Sequence, residues 1–205
     1  MTHPRFALFV CLLSALAGAF PLAFAQGNSK LRVVRVLVQT ELGDITVEID
    51  GAHAPITAEN FLNYVDAGHY DGGRFHRTVT LDPDNQPSNQ IKIEVIQAGV
   101  NPDKSKDGFP AIKLERTSAT GLKHKDGAIS MARSGPDTAT SDFFICLGDQ
   151  PELDFGGKRN PDGQGFAAFG RVVKGMDLVR KIHRSPVEEQ RLSPVIKIIR
   201  IKRVP

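Results

Sequence analysis

The residues best suited to do chemistry stand side by side in a short β-type run, "GGRFHRTV", residues 72–79, where Phe75, His76 and Arg77 follow one another. Further on, Gln97 interrupts an otherwise apolar run, "VIQAGV". An arginine in a half-buried strand needs a reason, because an unpaired interior charge is costly. A structural ion pair is one such reason, and a chemical target for the guanidinium is another. His76 also opens a hydrolytic alternative, as a base for Ser130, Ser134 or Ser141 with Asp142 orienting it. No G-x-S-x-G elbow accompanies those residues, and a histidine beside aromatic rings is more often a packed, hydrogen-bonded structural residue. A metal site drawn from His53, His69, His76 and His124 has neither the H-x-x-x-H spacing nor a His/Cys pairing, so no metal is expected. Cys146 lies in "FFICLG", surroundings that favour an inert core thiol.

The elements that must position these residues are mostly strands. Leu31 to Thr40 alternates Val34, Val36 and Val38 with Arg35, Leu37 and Gln39, then turns through Glu41 to Asp44 into Ile45 to Asp50, the pattern of an antiparallel hairpin. A helix follows, with Ala58, Phe61, Leu62 and Val65 on one face, Pro55 and Thr57 at its start and Gly68 past its end. Further β-type runs cover Arg74 to Val79, Ile91 to Val100, Ala128 to Ala132, Phe143 to Leu147, Phe166 to Val173 and Val195 to Lys202, and a second helix fits Gly175 to Ile182. Eight or so strands with two helices and no β-α-β alternation predict a mainly β fold, a closed antiparallel barrel or sandwich, since closure removes exposed strand edges. Thr80 to Gln90, "TLDPDNQPSNQ", and Gly156 to Gly165, "GGKRNPDGQG", are expected to be polar surface loops.

Residues 1–25 look like a secretory signal peptide: Arg5, the apolar run Phe6 to Leu16, and an A-x-A cleavage site at Ala23-Phe24-Ala25. Cleavage after Ala25 leaves a periplasmic or secreted domain, 26–205, without stable membrane insertion. Only Cys146 then remains, so no internal disulfide is available to it. Losing one arginine leaves 25 basic against 23 acidic residues, and the basic ones are spread along the chain, which argues against a nucleic-acid partner. The 180 remaining residues can bury a core as one domain, with no repeat or linker dividing them.

Three stretches, in order, resemble the cyclophilin family of peptidyl-prolyl cis/trans isomerases, especially its exported bacterial branch. They are "APITAENFLNYVDAGHYDGGRFHR", "ISMARSGPDTATSDFFICLGD" and "FAAFGRVVKGMDLVRKI". The resemblance covers nearly all of the chain after the signal and implies a closed eight-stranded antiparallel β-barrel capped by two α-helices. It implies rotation about X-Pro bonds, against a barrier of roughly 18–20 kcal/mol set by amide resonance. As the bond twists, the prolyl nitrogen gains a lone pair that a guanidinium N–H can meet. The resemblance gives that role to Arg77. Gln97 holds the substrate backbone and orients Arg77, while Phe144 floors the pocket for the proline ring. Val95 and Leu153 form its walls, Phe166 stands beside it, and Ala132 with Arg133 form the edge that bonds the peptide main chain. Proline-containing segments of folding proteins are the implied partners, for a monomer with no cofactor. A binding module or chaperone of the same fold is the alternative. The chain departs from the family at Glu94, Asp142 and Glu152, and an acid at 94 or 142 is placed to pair with Arg77.

Overall fold

The computed structural model describes Met1 and residues 33–205, so the expected signal peptide and the first two residues of the first predicted strand lie outside the described residues. Strands β1 (Val33–Thr40) and β2 (Gly43–Asp50) form the expected hairpin in continuous register. Val36 and Val38 face inward with Ile45, Val47 and Ile49, and all five are fully buried. The turn is tied by Thr40, whose Oγ1 donates to the Gly43 carbonyl at 2.8 Å and accepts from the Leu42 amide at 3.1 Å.

Helix α1 (Pro55–Asp66) begins with proline, whose missing N–H costs nothing at that position, but Ala54 offers no capping side chain. Glu115, far along the chain, supplies the cap: its carboxylate accepts from the amides of Ile56 at 3.1 Å and Thr57 at 2.8 Å. An acid at a helix N-terminus also meets the positive end of the helix dipole. The remaining elements are β3 (Arg74–Val79), β4 (Val95–Gly99), a one-turn helix α2 (Thr117–Thr120), β5 (Ala128–Met131), β6 (Phe143–Cys146), β7 (Ala167–Lys174), α3 (Met176–His183), β8 (Val187–Glu188) and β9 (Arg191–Val204).

The strands run in the order β1-β2-β7-β5-β6-β4-β3-β9, and β1 pairs with β9 to close the sheet. Every pairing is antiparallel. This is the expected closed eight-stranded barrel, with the two-residue β8 added as a ninth strand that pairs only β9. Inside, Phe61, Tyr64, Phe75, Phe143 and Phe169 share one core with Leu178, Val179 and Ile182 of α3. The two longer helices thus close over the barrel interior, and α2 is a third, shorter one that the pattern does not predict. At Gly175 a Cβ would lie 2.6 Å from the Asp44 carbonyl oxygen, so only glycine lets α3 start this close to β2.

Two boundaries differ from the pattern by more than two residues. The run from Ile91 becomes strand only at Val95, because the backbone groups before it bond to side chains: the Ile91 carbonyl accepts from Arg159 and the Ile93 carbonyl from Gln86. The last strand starts at Arg191 rather than Val195 and runs through Pro194. Its pairing with β3 is irregular there, where a residue without an N–H is tolerated.

Candidate active site

Arg77, Gln97, Phe144 and Ser130 are scattered in sequence and adjacent in space. Arg77 of β3 pairs with Gln97 of β4, Gln97 with Phe144 of β6, and Phe144 with Ser130 of β5, a single row across four strands. Alternation explains most of it: Ile96, Ala98, Phe143 and Ile145 point into the barrel, so Val95, Gln97, Phe144 and Cys146 point outward. Arg77 needs more than alternation, because Phe75, two residues earlier, is a fully buried core residue and strict alternation would send both the same way. The β3–β4 register shifts between Phe75 and Arg77. His76 is the extra residue of this bulge, and the bulge turns Arg77 onto the outer face.

There the guanidinium is held by neutral acceptors. Its Nη1 donates to Gln97 Oε1 at 2.9 Å, and its Nε to Gln190 Oε1 at 2.8 Å, with Nη2 donating to the same oxygen. Gln97 in turn donates from Nε2 to Asp142 Oδ2 at 3.1 Å. Asp142 therefore holds Gln97 rather than pairing with Arg77. Glu94 also stands away from the arginine, with its Oε1 3.8 Å from His183 Nε2, and Glu152 accepts from the Lys158 amide. Burial lowers the pKa of Arg77, yet an arginine remains cationic at any ordinary pH. Gln190 follows the β8–β9 turn at Glu189, which has a left-handed φ of 58° unusual for glutamate. Asn85 fixes both residues: its Nδ2 donates to the Glu189 carbonyl, and its carbonyl accepts from Gln190 Nε2, each at 2.6 Å.

A cavity of about 230 Å³ opens beside this row, lined by Arg77, Val95, Gln97, Ala132, Arg133, Phe144, Leu153 and Phe166. All eight residues named from the sequence thus meet in one place. Ile93, Arg159 and Asn160 also line it and were not among them. Its apolar floor is a second cluster outside the barrel, in which Val79, Ile93, Val95, Phe144, Cys146 and Leu153 are buried against each other. Phe166 meets Phe144 edge to face at 5.3 Å between centroids, and the Arg133 guanidinium lies 5.0 Å from the Phe166 ring. Arg133 is neutralised by a two-pronged pair with Asp162, at 2.8 and 2.9 Å. Its own backbone N–H and carbonyl have no partner among the described residues, which leaves a main-chain edge for an extended peptide. The Ala132 amide is already bonded to the Asp142 carbonyl.

Beneath Phe144 lies a column the pattern does not predict. The His124 ring stacks on Phe144 at 14° between planes, its Nδ1 is 2.8 Å from Asp154 Oδ1, and its Nε2 is 3.0 Å from Ser130 Oγ. The connectivity is that of a hydrolytic triad, but Ser130 is 0% exposed, so no substrate carbonyl can reach it. The hydrolytic candidate His76 bonds to no serine among the described residues and stands 3.6 Å from Asp142. Cys146 is buried and its pKa is pushed far up by loss of solvent, in keeping with an inert thiol. The loops expected at the surface also reach inward: Asn85 and Gln86 are buried, and Arg159 lines the cavity.

A family described as "Cyclophilin type peptidyl-prolyl cis-trans isomerase/CLD" matches residues 35–203. The chain is 37% identical over 178 residues to "Peptidyl-prolyl cis-trans isomerase A" of Dickeya dadantii, covering 86% of this chain and 82% of that protein. It is also 37% identical over 152 residues to a peptidyl-prolyl cis-trans isomerase of Acinetobacter baylyi, covering 74% of this chain and 72% of that one. Among solved structures, a cyclophilin type peptidyl-prolyl cis-trans isomerase of Cryptosporidium parvum superposes with a TM-score of 0.67 at 22% identity, over 85% of this chain and 99% of that one. The same protein crystallised in the presence of the dipeptide Ala-Pro gives a TM-score of 0.66. At that identity the likeness is one of fold.

Proposed function

The chain belongs to the cyclophilin-type peptidyl-prolyl cis/trans isomerases, and from that premise we propose that the 230 Å³ cavity is where it turns X-Pro bonds, with Arg77 as the catalytic group. The observation that carries this is the guanidinium held by two amide carbonyls and by no carboxylate among the described residues. Its charge is directed but not cancelled. An amide twisted out of plane loses resonance and localises a lone pair on the prolyl nitrogen, and a charged N–H donor at that point favours the twisted form over either planar one. The proline ring sits on Phe144 between Val95 and Leu153, where apolar surface favours it over water. Gln97 fixes Arg77 and meets the substrate backbone, and the Arg133 main chain holds the residues before proline. The step is a rotation, so no bond is broken and no base is needed.

The test is exchange spectroscopy by NMR on a short X-Pro peptide with wild type and Arg77→Ala side by side. Wild type accelerates cis/trans exchange, and the variant loses about a hundredfold, the scale of one preorganised donor to a transition state. Exchange at the uncatalysed rate with wild type refutes the assignment of activity to this cavity. Equal rates for the two proteins remove Arg77 from its role. Line shifts without acceleration mark a proline-peptide binder instead.

The setting proposed for this activity is the folding of exported proteins. The Arg5, apolar run and A-x-A order of residues 1–25 supports it. Expression of the full chain in a bacterium gives a periplasmic or secreted protein whose mass begins at Gln26. A cytoplasmic product with an uncut N-terminus refutes export.

A further inference from the structure

We propose that Arg159 makes this pocket select proline segments carrying a carboxylate next to the proline, a specificity that rests on the cavity being the isomerase site proposed above. Three arginines line the cavity, and only Arg133 has a carboxylate partner among the described residues. Arg77 and Arg159 have none, and no aspartate or glutamate lines the cavity. Two uncompensated guanidinium groups thus face one small space with an apolar floor. They feel each other: burial, and after it the charge of Arg77, lower the pKa of Arg159. A neutral X-Pro peptide leaves that repulsion in place. A carboxylate relieves it and gains charge-assisted bonds.

Arg159 is held for this purpose rather than loosely draped. Its Nη1 donates to Gln86 Oε1 at 2.8 Å and to the Ile91 carbonyl at 2.6 Å, while its backbone amide bonds to the Glu152 carbonyl at 3.1 Å. Nε and Nη2 have no acceptor among the described residues, which leaves donors for a ligand. The support beneath is rigid. Gln86 is fully buried, and its Nε2 donates to the carbonyls of Thr80 at 2.6 Å and Ile93 at 2.9 Å. The long loop from Thr80 to Gln90 is therefore a pedestal that brings an arginine from the other loop, 156–165, to the rim of the pocket. Both acceptors on Arg159 are neutral, as they are on Arg77, so the loop orients the charge and leaves it uncancelled.

The carboxylate can come from an aspartate or glutamate side chain flanking proline, or from a C-terminal proline itself, and the test separates the two. Blocked peptides identical except for Glu, Gln or Lys before or after the proline are compared with Ala-Pro bearing a free or an amidated C-terminus. Exchange rates and NMR binding titrations are read for each. Wild type favours Glu over Gln by about threefold to tenfold at low salt, with Lys below Gln and the preference shrinking as salt rises. Preference for the free Ala-Pro terminus without preference for Glu assigns the carboxylate to chain ends. Arg159→Gln and Gln86→Glu, the latter placing an acid against Arg159, each lower the Glu-to-Gln ratio toward unity, whereas Arg159→Lys keeps more of it. Neither preference in wild type, or a ratio that survives both neutralising variants, overturns the proposal. Absence of acceleration for every peptide refutes the isomerase assignment alone, because the titrations still report whether carboxylate is preferred.

Discussion

Arg77 is gripped by three hydrogen bonds that all end on amide oxygens, two on Gln190 and one on Gln97. Neutral acceptors fix the plane of a guanidinium without competing for its charge, and the choice between amide and acid at these positions decides how much field reaches the substrate. Gln190→Glu tests this directly. A carboxylate there forms a two-pronged ion pair with Arg77, which strengthens the contact and weakens the catalyst. We expect kcat/KM to fall about tenfold or more, from the size of hydrogen bonds to charged groups. Gln190→Ala loses the orientation of Arg77 and the bond to the Asn85 carbonyl but leaves the charge uncancelled, and its activity falls by less. Activity of the glutamate variant equal to wild type would show that the arginine's charge is not what the site uses. Among these residues, Arg77 and Gln97 were legible in the sequence because each is a polar group in an apolar strand. Gln190 and Arg159 were not, since both stand in polar stretches where another glutamine or arginine attracts no notice.

At the scale of elements, one inserted residue lies between the core and the chemistry. Phe75 belongs to the barrel core and Arg77 to the outer row, and the bulge at His76 separates them. His76 packs against Asp142, with burial lowering its pKa and Asp142 working in the opposite direction, so at neutral pH it is a neutral spacer. His76→Ala is expected to keep exchange activity within about twofold, since the contact at 3.6 Å is weak. Deleting residue 76 makes Phe75 and Arg77 chain neighbours opposite Ala98 and Gln97, so plain alternation keeps Phe75 in the core and Arg77 on the outer face, and only the bend of the bulge is lost. The deletion variant is expected to fold with native circular dichroism, and an insoluble product would refute this reading of the bulge. The strand from Arg74 to Val79 was legible as a strand, and its barrel neighbours followed from closure. The bulge was not, because "RFHRTV" has no glycine or proline to mark it and only the register with β4 and β9 reveals it. For the same reason the β-type run from Ile91 read as strand throughout, although side chains of the loop before it and of a distant loop occupy its first carbonyls.

Taken whole, the molecule has two apolar clusters on either side of one sheet, the barrel interior and the pocket floor, and the floor rests on a column of polar groups. Asp154 accepts from the His124 backbone amide at 3.2 Å and meets its ring at 2.8 Å, and the ring supports Phe144. Loss of solvent by itself would raise the Asp154 pKa, but the His124 hydrogen bond, the His124 charge and Lys123 outweigh it and hold the carboxyl below its usual range. The unfolded chain then takes up the proton first as pH falls. Asp154 accordingly contributes its full stabilisation above about pH 4, the value for an unperturbed carboxyl, and loses it as pH falls through its lower folded value. Exposed acids such as Asp137 and Asp149 are also held low, but solvent screens what they contribute. Asp154→Asn keeps the shape of the side chain and removes the charge. Melting curves of the two proteins between pH 2 and 7 are expected to differ at neutral pH, with wild type the more stable, and to converge once wild-type Asp154 is protonated. A gap that stays constant across the whole range would mean that packing, and not the carboxylate, holds the column. Because the same column carries Phe144, the variant should also lose isomerase activity at neutral pH, where most of its molecules are still folded, and that loss would tie the floor of the pocket to the acid limit of the fold.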